Sequence, residues 1–288
     1  MRLTSASALI VALSVVLPAT SGAQQATSRD AFFDSDGVRI HYTIRGTGPP
    51  VVLVHGFALS LENWVGTGLP DSLASKYTVI NLDLRGHGAS DKPLDSAAYG
   101  ATFVEDLVLL MDYLGIQRAH IIGYSMGAAI TLKLLTTYPG RVASAVMGGA
   151  GWRTADLGPQ EHVIRYEDVL AKVTRGEKTF EEALAEPGAP PLPPQLRAAL
   201  SRNDPRVLLA VLQGNRRGLL SVTERELCAN SIPVLAVVGE ADWARPDVER
   251  MVGVMSNLEL VIVPGATHFT AAGHPLFLQT VLQFLSSR

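Results

Sequence analysis

A serine between two glycines is the pattern in this chain that most directly predicts chemistry. It lies in the pentapeptide Gly123-Tyr124-Ser125-Met126-Gly127, after a short apolar run that predicts a buried strand and before a segment, Ala128 to Leu135, that predicts a helix. A strand-to-helix turn this tight has no room for side chains at the glycine positions, and it holds the serine hydroxyl out above the end of the sheet. The pattern therefore predicts a nucleophile.

A serine hydroxyl is a weak nucleophile at neutral pH, so it needs a base to take its proton and a third group to orient that base. Asp242 and His268 are the candidates, because each comes shortly after an apolar run, Pro233 to Val238 and Leu258 to Val263 respectively. The carboxyl ends of parallel strands share one edge of a sheet, where ligands bind. We expect Ser125, Asp242 and His268 to converge there.

Other residues compete for both supporting roles. Glu240 and Asp247 lie near Asp242, and His274 lies six residues after His268, in a setting typical of a helix start. The other five histidines fall in predicted turns, strands or a helical segment: His41, His55, His87, His120 and His162.

The elements that must position these residues alternate between short apolar runs and helix-length segments. The runs are Val51–Val54, Thr78–Leu82, Ala119–Ile122, Ala143–Met147, Pro233–Val238 and Leu258–Val263. The helical segments are Phe103–Leu114, Ala128–Thr137, Val248–Ser256 and Pro275–Phe284. Continuous apolarity indicates strands covered on both faces, so the pattern predicts a mostly parallel α/β sheet. Residues 32–45 precede it as a predicted hairpin.

The stretch from Trp152 to about Asn230 breaks this alternation. It contains no convincing strand, and it has helical patterns at Tyr166–Val173, Phe180–Ala185, Leu196–Leu200 and Arg206–Gln213, with prolines clustered between them. We interpret residues 152–230 as a helical cap over the carboxyl edge of a core formed by 24–151 and 231–288. A plain extension with no role at the site is the alternative.

The first residues resemble a secretory signal peptide. Arg2 is followed by an apolar stretch from Ala8 to Leu17 and then by small residues up to Ala23. We expect residues 1–23 to be removed and the protein to be secreted or periplasmic. A retained membrane anchor is the alternative, although the apolar stretch is short for a bilayer span.

The order serine, acid, histidine resembles that of the α/β-hydrolase superfamily. The resemblance covers residues 32–285 and includes His55-Gly56-Phe57, where that family has its oxyanion-hole loop, Trp64, and the turn Asp83 to Ser90. It implies that Ser125 is the nucleophile, that His268 is the general base and then acid, and that Asp242 holds the histidine tautomer. It also implies that the backbone N–H groups of Phe57 and Met126 form the oxyanion hole.

Aromatic residues adjoin these motif positions, and we expect an apolar pocket for the substrate there. They are Phe57, Tyr124, Trp152, Trp243 and Phe269, of which the last four are the candidates for substrate contact.

Composition narrows the possible partners. The chain has 288 residues, 47% of them hydrophobic and 18% charged, and a formal net charge of −3, so nothing predicts a nucleic-acid or anionic membrane partner. The single cysteine, Cys228, excludes an intramolecular disulfide and is interpreted as a small hydrophobe. No metal-binding or nucleotide-binding motif is present, so no cofactor or metal is expected. The oligomeric state leaves no signature.

These patterns together predict an exported serine hydrolase that cleaves a small carboxylic ester or related acyl substrate through an acyl-enzyme. Haloalkane dehalogenases and epoxide hydrolases of the resembled family carry aspartate where Ser125 stands, which disfavours those activities. A carbon–carbon bond hydrolase, a lactonase or a perhydrolase-like enzyme would use the same three residues. A ligand-binding receptor or a lyase on the same fold is the alternative of another class.

Overall fold

The computed structural model describes residues 29–153, 158, 160–187, 192–216 and 222–288, and the predicted export segment at 1–23 lies outside them. In this part of the chain, eight strands form a single sheet. They are β1 (Arg29–Ser35), β2 (Val38–Arg45), β3 (Pro50–Val54), β4 (Thr78–Leu82), β5 (Ala119–Tyr124), β6 (Val142–Gly148), β7 (Val234–Gly239) and β8 (Leu258–Val263).

The sheet order is β1-β2-β4-β3-β5-β6-β7-β8. The hairpin of β1 and β2 is antiparallel, β2 pairs antiparallel with β4, and every other pair is parallel. This confirms the predicted mostly parallel α/β sheet. The chain runs from β3 to β4 on one side and then crosses to β5 on the other side of β3. The carboxyl ends of β3 and β5 therefore border the point where strand order reverses, which is where open α/β sheets bind ligands.

Helices cover both faces of this sheet. They are α1 (Glu62–Val65), α2 (Leu69–Ala74), α3 (Thr102–Tyr113), α4 (Met126–Thr137), α5 (Glu161–Thr174), α6 (Phe180–Leu184), α7 (Pro194–Arg202), α8 (Pro205–Arg216), α9 (Glu224–Cys228), α10 (Arg245–Glu249) and α11 (Pro275–Ser286). None of the helices in the described ranges is long and apolar enough to cross a membrane.

The core has two layers, one on each side of the sheet. Ile121 of β5 belongs to a buried cluster with Leu107 of α3 and Leu134 of α4, whereas its neighbour Ile122 belongs to a cluster with Leu73 of α2 and Phe277 of α11. Alternate residues of one strand thus fill opposite layers, and all six residues of β5 are buried. This two-sided burial is the physical reason for the continuous apolar runs in the sequence.

Two local expectations were wrong. The segment Val248–Ser256 is not one helix, because α10 begins earlier, with Pro246 in its first turn, and the chain turns at Gly253, where φ is +85°. Cys228 is exposed at the end of α9 and is not a buried small hydrophobe.

Helices α5 to α9 lie between β6 and β7, and the described residues of this stretch contain no strand. Tyr166 and Leu170 of α5 pack with Leu208 and Leu212 of α8 in a third buried cluster, which also contains Ala58 from the loop after β3. The helical stretch is therefore packed against the carboxyl edge of the sheet.

Candidate active site

Ser125 occupies a strained turn between β5 and α4. Its backbone has φ +55° and ψ −118°, a conformation that non-glycine residues rarely adopt. The flanking glycines are sterically required, since a Cβ atom on Gly123 would lie 2.2 Å from the carbonyl oxygen of Gly127, and one on Gly127 would lie 2.1 Å from that of Val54. The two glycines allow strand and helix to meet closely enough to lift the serine above the sheet edge.

Ser125, His268 and Asp242 lie in a single hydrogen-bonded row. Nε2 of His268 is 2.9 Å from Oγ of Ser125, and Nδ1 is 3.0 Å and 3.1 Å from the two carboxylate oxygens of Asp242. His268 and Asp242 are buried. With Asp242 ionised, Nδ1 carries the proton and Nε2 is left to accept from the serine hydroxyl. Proton abstraction by a base requires this tautomer.

The loops after β7 and β8 are joined so that the carboxylate faces the imidazole. The N–H of Ala241 donates to the carbonyl oxygen of Ala266 at 2.9 Å, and the N–H of Gly265 donates to the Glu240 carboxylate at 2.8 Å. The N–H of Ala244 donates to Oδ1 of Asp242 at 2.8 Å, which fixes the carboxylate within its own turn.

The competing residues have other partners. Glu240 holds the loop that carries His268, as described above. Asp247 accepts hydrogen bonds from Arg153, Gln160 and Arg250, so it joins the start of the helical stretch to α10. His274 accepts from the N–H of Leu276 and caps the N-terminus of α11, in keeping with the helix start expected from its sequence context.

The backbone N–H groups of Phe57 and Met126, the predicted oxyanion-hole donors, have no hydrogen-bond partner among the described residues. No hydrogen bond between described residues uses the N–H of Phe57, and Met126 is the first residue of α4, where N–H groups have no partner within the helix. The two segments are close together, since a Cβ atom on Gly56 would lie 3.3 Å from Cβ of Ser125.

His55 fixes the shape of this loop. Its Nε2 accepts from the N–H of Leu84 at 3.0 Å, so its Nδ1 is the protonated nitrogen and donates to the carbonyl oxygen of Gly56 at 2.8 Å. Burial lowers the pKa of His55 and keeps the ring neutral, as this pair of bonds requires.

Two of the four aromatic candidates for substrate contact are buried within the protein. Tyr124 donates its hydroxyl to the carbonyl oxygen of His268, and Nε1 of Trp152 donates to that of Val222. Tyr124 fits there because β6 ends in glycine: a Cβ atom on Gly148 would lie 2.4 Å from the Tyr124 ring. Both side chains therefore have structural partners, and their expected contact with substrate stays a prediction.

Trp243 and Phe269 lie at the surface beside His268, each 38% exposed. The Trp243 ring stacks on the His268 imidazole with centroids 4.1 Å apart and an interplanar angle of 25°, and Phe269 meets both rings edge-on. Their position agrees with the expected role in substrate contact, which stays a prediction.

Residues of the helical stretch also reach this site. Asn203 donates to the carbonyl oxygen of Ala58 at 3.1 Å, Asn215 donates to the Met126 sulfur at 3.2 Å, and the ring of His162 lies 4.7 Å from that of Trp243. Sequence reasoning missed these neighbours of the site, because no motif surrounds them. Within the described part of the chain, no group of three or more His, Cys, Asp or Glu side chains is arranged to hold a metal ion.

Comparison with known proteins agrees with this fold. Residues 49–172 match the family described as alpha/beta hydrolase fold. A Bacillus subtilis protein named "Putative 2-succinyl-6-hydroxy-2,4-cyclohexadiene-1-carboxylate synthase" is 30% identical over 276 residues, which cover 88% of this chain and 97% of that protein. The crystal structure of a hydrolase from Pseudomonas aeruginosa PA01 superposes with a TM-score of 0.72 at 25% identity, covering 89% of this chain and 98% of that one.

A third relative is matched over only part of its length. The dihydrolipoyllysine-residue acetyltransferase component of the acetoin cleaving system of Cupriavidus necator is 39% identical over 130 residues, or 44% of this chain. The match covers 33% of that relative. The family match and the near-complete Bacillus subtilis alignment establish that this chain belongs to the α/β-hydrolase fold family.

Proposed function

We propose that this chain is a serine hydrolase that cleaves a small carboxylic ester or related acyl substrate through an acyl-enzyme on Ser125. The single observation that carries the proposal is the row Asp242, His268, Ser125, with its 2.9 Å contact between imidazole and hydroxyl. A nucleophile, a base within hydrogen-bond reach and a group that orients the base are what acyl transfer requires.

The reaction has two halves. Oγ of Ser125 attacks the carbonyl carbon of the substrate while Nε2 of His268 takes the hydroxyl proton, and the N–H groups of Phe57 and Met126 donate to the oxyanion. The tetrahedral intermediate then expels the alcohol, which takes the proton from Nε2. A water molecule attacks the acyl-enzyme by the same route, releasing the carboxylic acid and restoring Ser125.

The helical stretch at 152–230 is proposed to be a cap that selects the substrate. Its packing with Ala58 and Phe57 and the contact of Asn215 with Met126 support this role, since Phe57 and Met126 are the residues of the proposed oxyanion hole. Trp243 and Phe269 are proposed to supply the exposed apolar wall beside His268.

We also propose that the protein is exported and that residues 1–23 are removed. The support is the sequence alone: one basic residue, an apolar stretch from Ala8 to Leu17, and small residues before the expected cleavage after Ala23. Expression of the full chain with N-terminal sequencing of the periplasmic or secreted fraction tests it. A chain that begins near Gln24 is expected, and a cytoplasmic chain that retains residue 1 contradicts it.

A panel of esters, thioesters, lactones and carbon–carbon cleavage substrates tests the reaction class. We expect turnover of short-chain carboxylic esters by the wild type and loss of that turnover in Ser125→Ala. A wild type that turns over no acyl substrate contradicts the proposal.

The second candidate is an enzyme that uses Ser125 and His268 only for proton transfer. The name of the Bacillus subtilis relative, a synthase, is the observation that favours it. Such an enzyme forms no acyl-enzyme. Rapid mixing with a chromogenic ester discriminates between the two candidate functions. Only the hydrolase releases a pre-steady-state burst of alcohol or produces carboxylic acid at a constant steady-state rate.

A further inference from the structure

His162, on helix α5, is a histidine of the helical stretch that the proposed mechanism does not use. Its ring lies 4.7 Å from that of Trp243, the same indole that stacks on His268 at 4.1 Å. Trp243 thus contacts both His162, in the helical stretch, and His268, the proposed general base.

The electrostatic surroundings keep His162 neutral. Burial, the neighbouring His268 and Arg153 together lower its pKa to about 4, against an opposing effect of Asp242. A neutral imidazole presents one N–H donor and one nitrogen acceptor.

The ring of His162 makes no hydrogen bond within the described ranges of the chain. Each of the other six histidines has at least one hydrogen bond through a ring nitrogen: His41, His55, His87, His120, His268 and His274. Among the described residues, no hydrogen bond involves the ring of His162, and the residue is half-buried. Neither ring nitrogen is among the fully buried atoms that lack a partner, so both reach the solvent-accessible surface, where a donor and an acceptor beside the reaction centre are open to a ligand.

We propose that His162 binds a hydroxyl on the leaving alcohol of the substrate, so that the preferred substrates are esters of polyols. This rests on the proposed function. The leaving oxygen receives its proton from Nε2 of His268, so the alcohol departs beside that imidazole, on which the Trp243 ring that His162 also contacts is stacked. A hydroxyl donates and accepts, as a neutral imidazole does. An anionic group would be bound more strongly by a charged ring, which the surroundings of His162 disfavour.

Two matched esters test the inference: 2,3-dihydroxypropyl butyrate and propyl butyrate, which differ only in two hydroxyl groups. The variants are His162→Phe, which retains an aromatic ring against Trp243 without hydrogen bonding, and His162→Gln, which restores a donor and an acceptor. One hydrogen bond to an uncharged group corresponds to a change of roughly fivefold to tenfold in kcat/KM.

The wild type is expected to prefer the dihydroxypropyl ester. His162→Phe should lower the ratio of the two kcat/KM values about fivefold to tenfold, mainly through KM, and His162→Gln should bring the ratio back to within about twofold of wild type. Thermal melts of both variants check that the fold is retained.

The inference is overturned if His162→Phe leaves the ratio of the two kcat/KM values unchanged. It is also overturned if His162→Gln behaves like His162→Phe, because His162 would then act through packing alone. If wild type hydrolyses propyl butyrate in either case, the proposed function stands. If neither ester is turned over, this inference fails, and the substrate panel described above decides the proposed function separately.

Discussion

The hydroxyl of Tyr124 donates a 2.7 Å hydrogen bond to the backbone carbonyl oxygen of His268. The bond joins the residue before the proposed nucleophile to the proposed base, and the two rings lie 5.6 Å apart. Burial raises the pKa of Tyr124, so its hydroxyl remains a donor over the accessible pH range. Tyr124 therefore anchors the backbone of the residue that carries the imidazole.

Tyr124→Phe should weaken that anchoring while preserving the shape of the core. We expect a loss of about 1 kcal/mol in the free energy of unfolding, because a buried carbonyl loses its donor. We also expect kcat to fall severalfold with KM little changed, since the imidazole is less well placed. Urea unfolding and steady-state kinetics measure the two effects. A change in KM alone would instead assign Tyr124 to substrate contact.

His268 and His274 form a matched pair for testing the base. His268→Ala should lower kcat by several orders of magnitude, because no other described histidine contacts Ser125. His274→Ala should remove the cap of α11 and lower stability by about 1 kcal/mol, with kcat within about threefold of wild type. Kinetics and thermal melts of both variants check this. Full activity in His268→Ala would show that the base is another group.

His87 should make the protein less stable in mild acid. It is fully buried and donates through Nδ1 to the carbonyl oxygen of Arg85, and burial lowers its pKa from 6.5 to about 3. Between about pH 3 and pH 6.5, His87 of the unfolded chain binds a proton that His87 of the folded chain does not. Stability therefore falls as the pH drops from about 6.5 towards 3, and the loss from this residue between pH 7 and pH 5 is about 2 kcal/mol.

His87→Asn keeps a donor for Arg85 and removes the titration. Urea unfolding at pH 7 and pH 5 should show the stability advantage of wild type over this variant shrinking by about 2 kcal/mol at the lower pH. His41 is present in both proteins, so its effect on stability cancels in the comparison. Burial lowers the pKa of His41, but Asp83 and Asp30 raise it overall, so its contribution to stability changes with pH in the opposite direction to that of His87. An advantage that is equal at both pH values would contradict the assignment.

The sequence predicted the parallel strands because each is buried on both faces and so reads as an uninterrupted apolar run. It also predicted that Ser125, Asp242 and His268 meet at the carboxyl edge of the sheet, because each follows a strand. Short helices were harder: α9 was not predicted, although Thr223 and Glu226 form a capping box at its start. This T-x-x-E signal is visible in the sequence.

The roles of the aromatic residues could not be read from the sequence. Tyr124 and Trp243 both adjoin residues of the proposed catalytic row, yet one is buried and the other is exposed. Tyr124 is buried because Gly148 leaves room beside β5, and Trp243, in the loop after β7, has its ring contacts with His268, Phe269 and His162 of α5. These are contacts between segments distant in the chain, which local patterns do not encode.

Covalent labelling of Ser125 tests the central claim most directly. A fluorophosphonate probe should phosphonylate Oγ of Ser125 in the purified wild type with loss of fluoride, add the mass of one probe less HF, and yield a modified peptide containing Gly123 to Gly127. Ser125→Ala should remain unlabelled while keeping the wild-type melting curve. Labelling that persists in Ser125→Ala, or a folded wild type that is not labelled, would contradict the account.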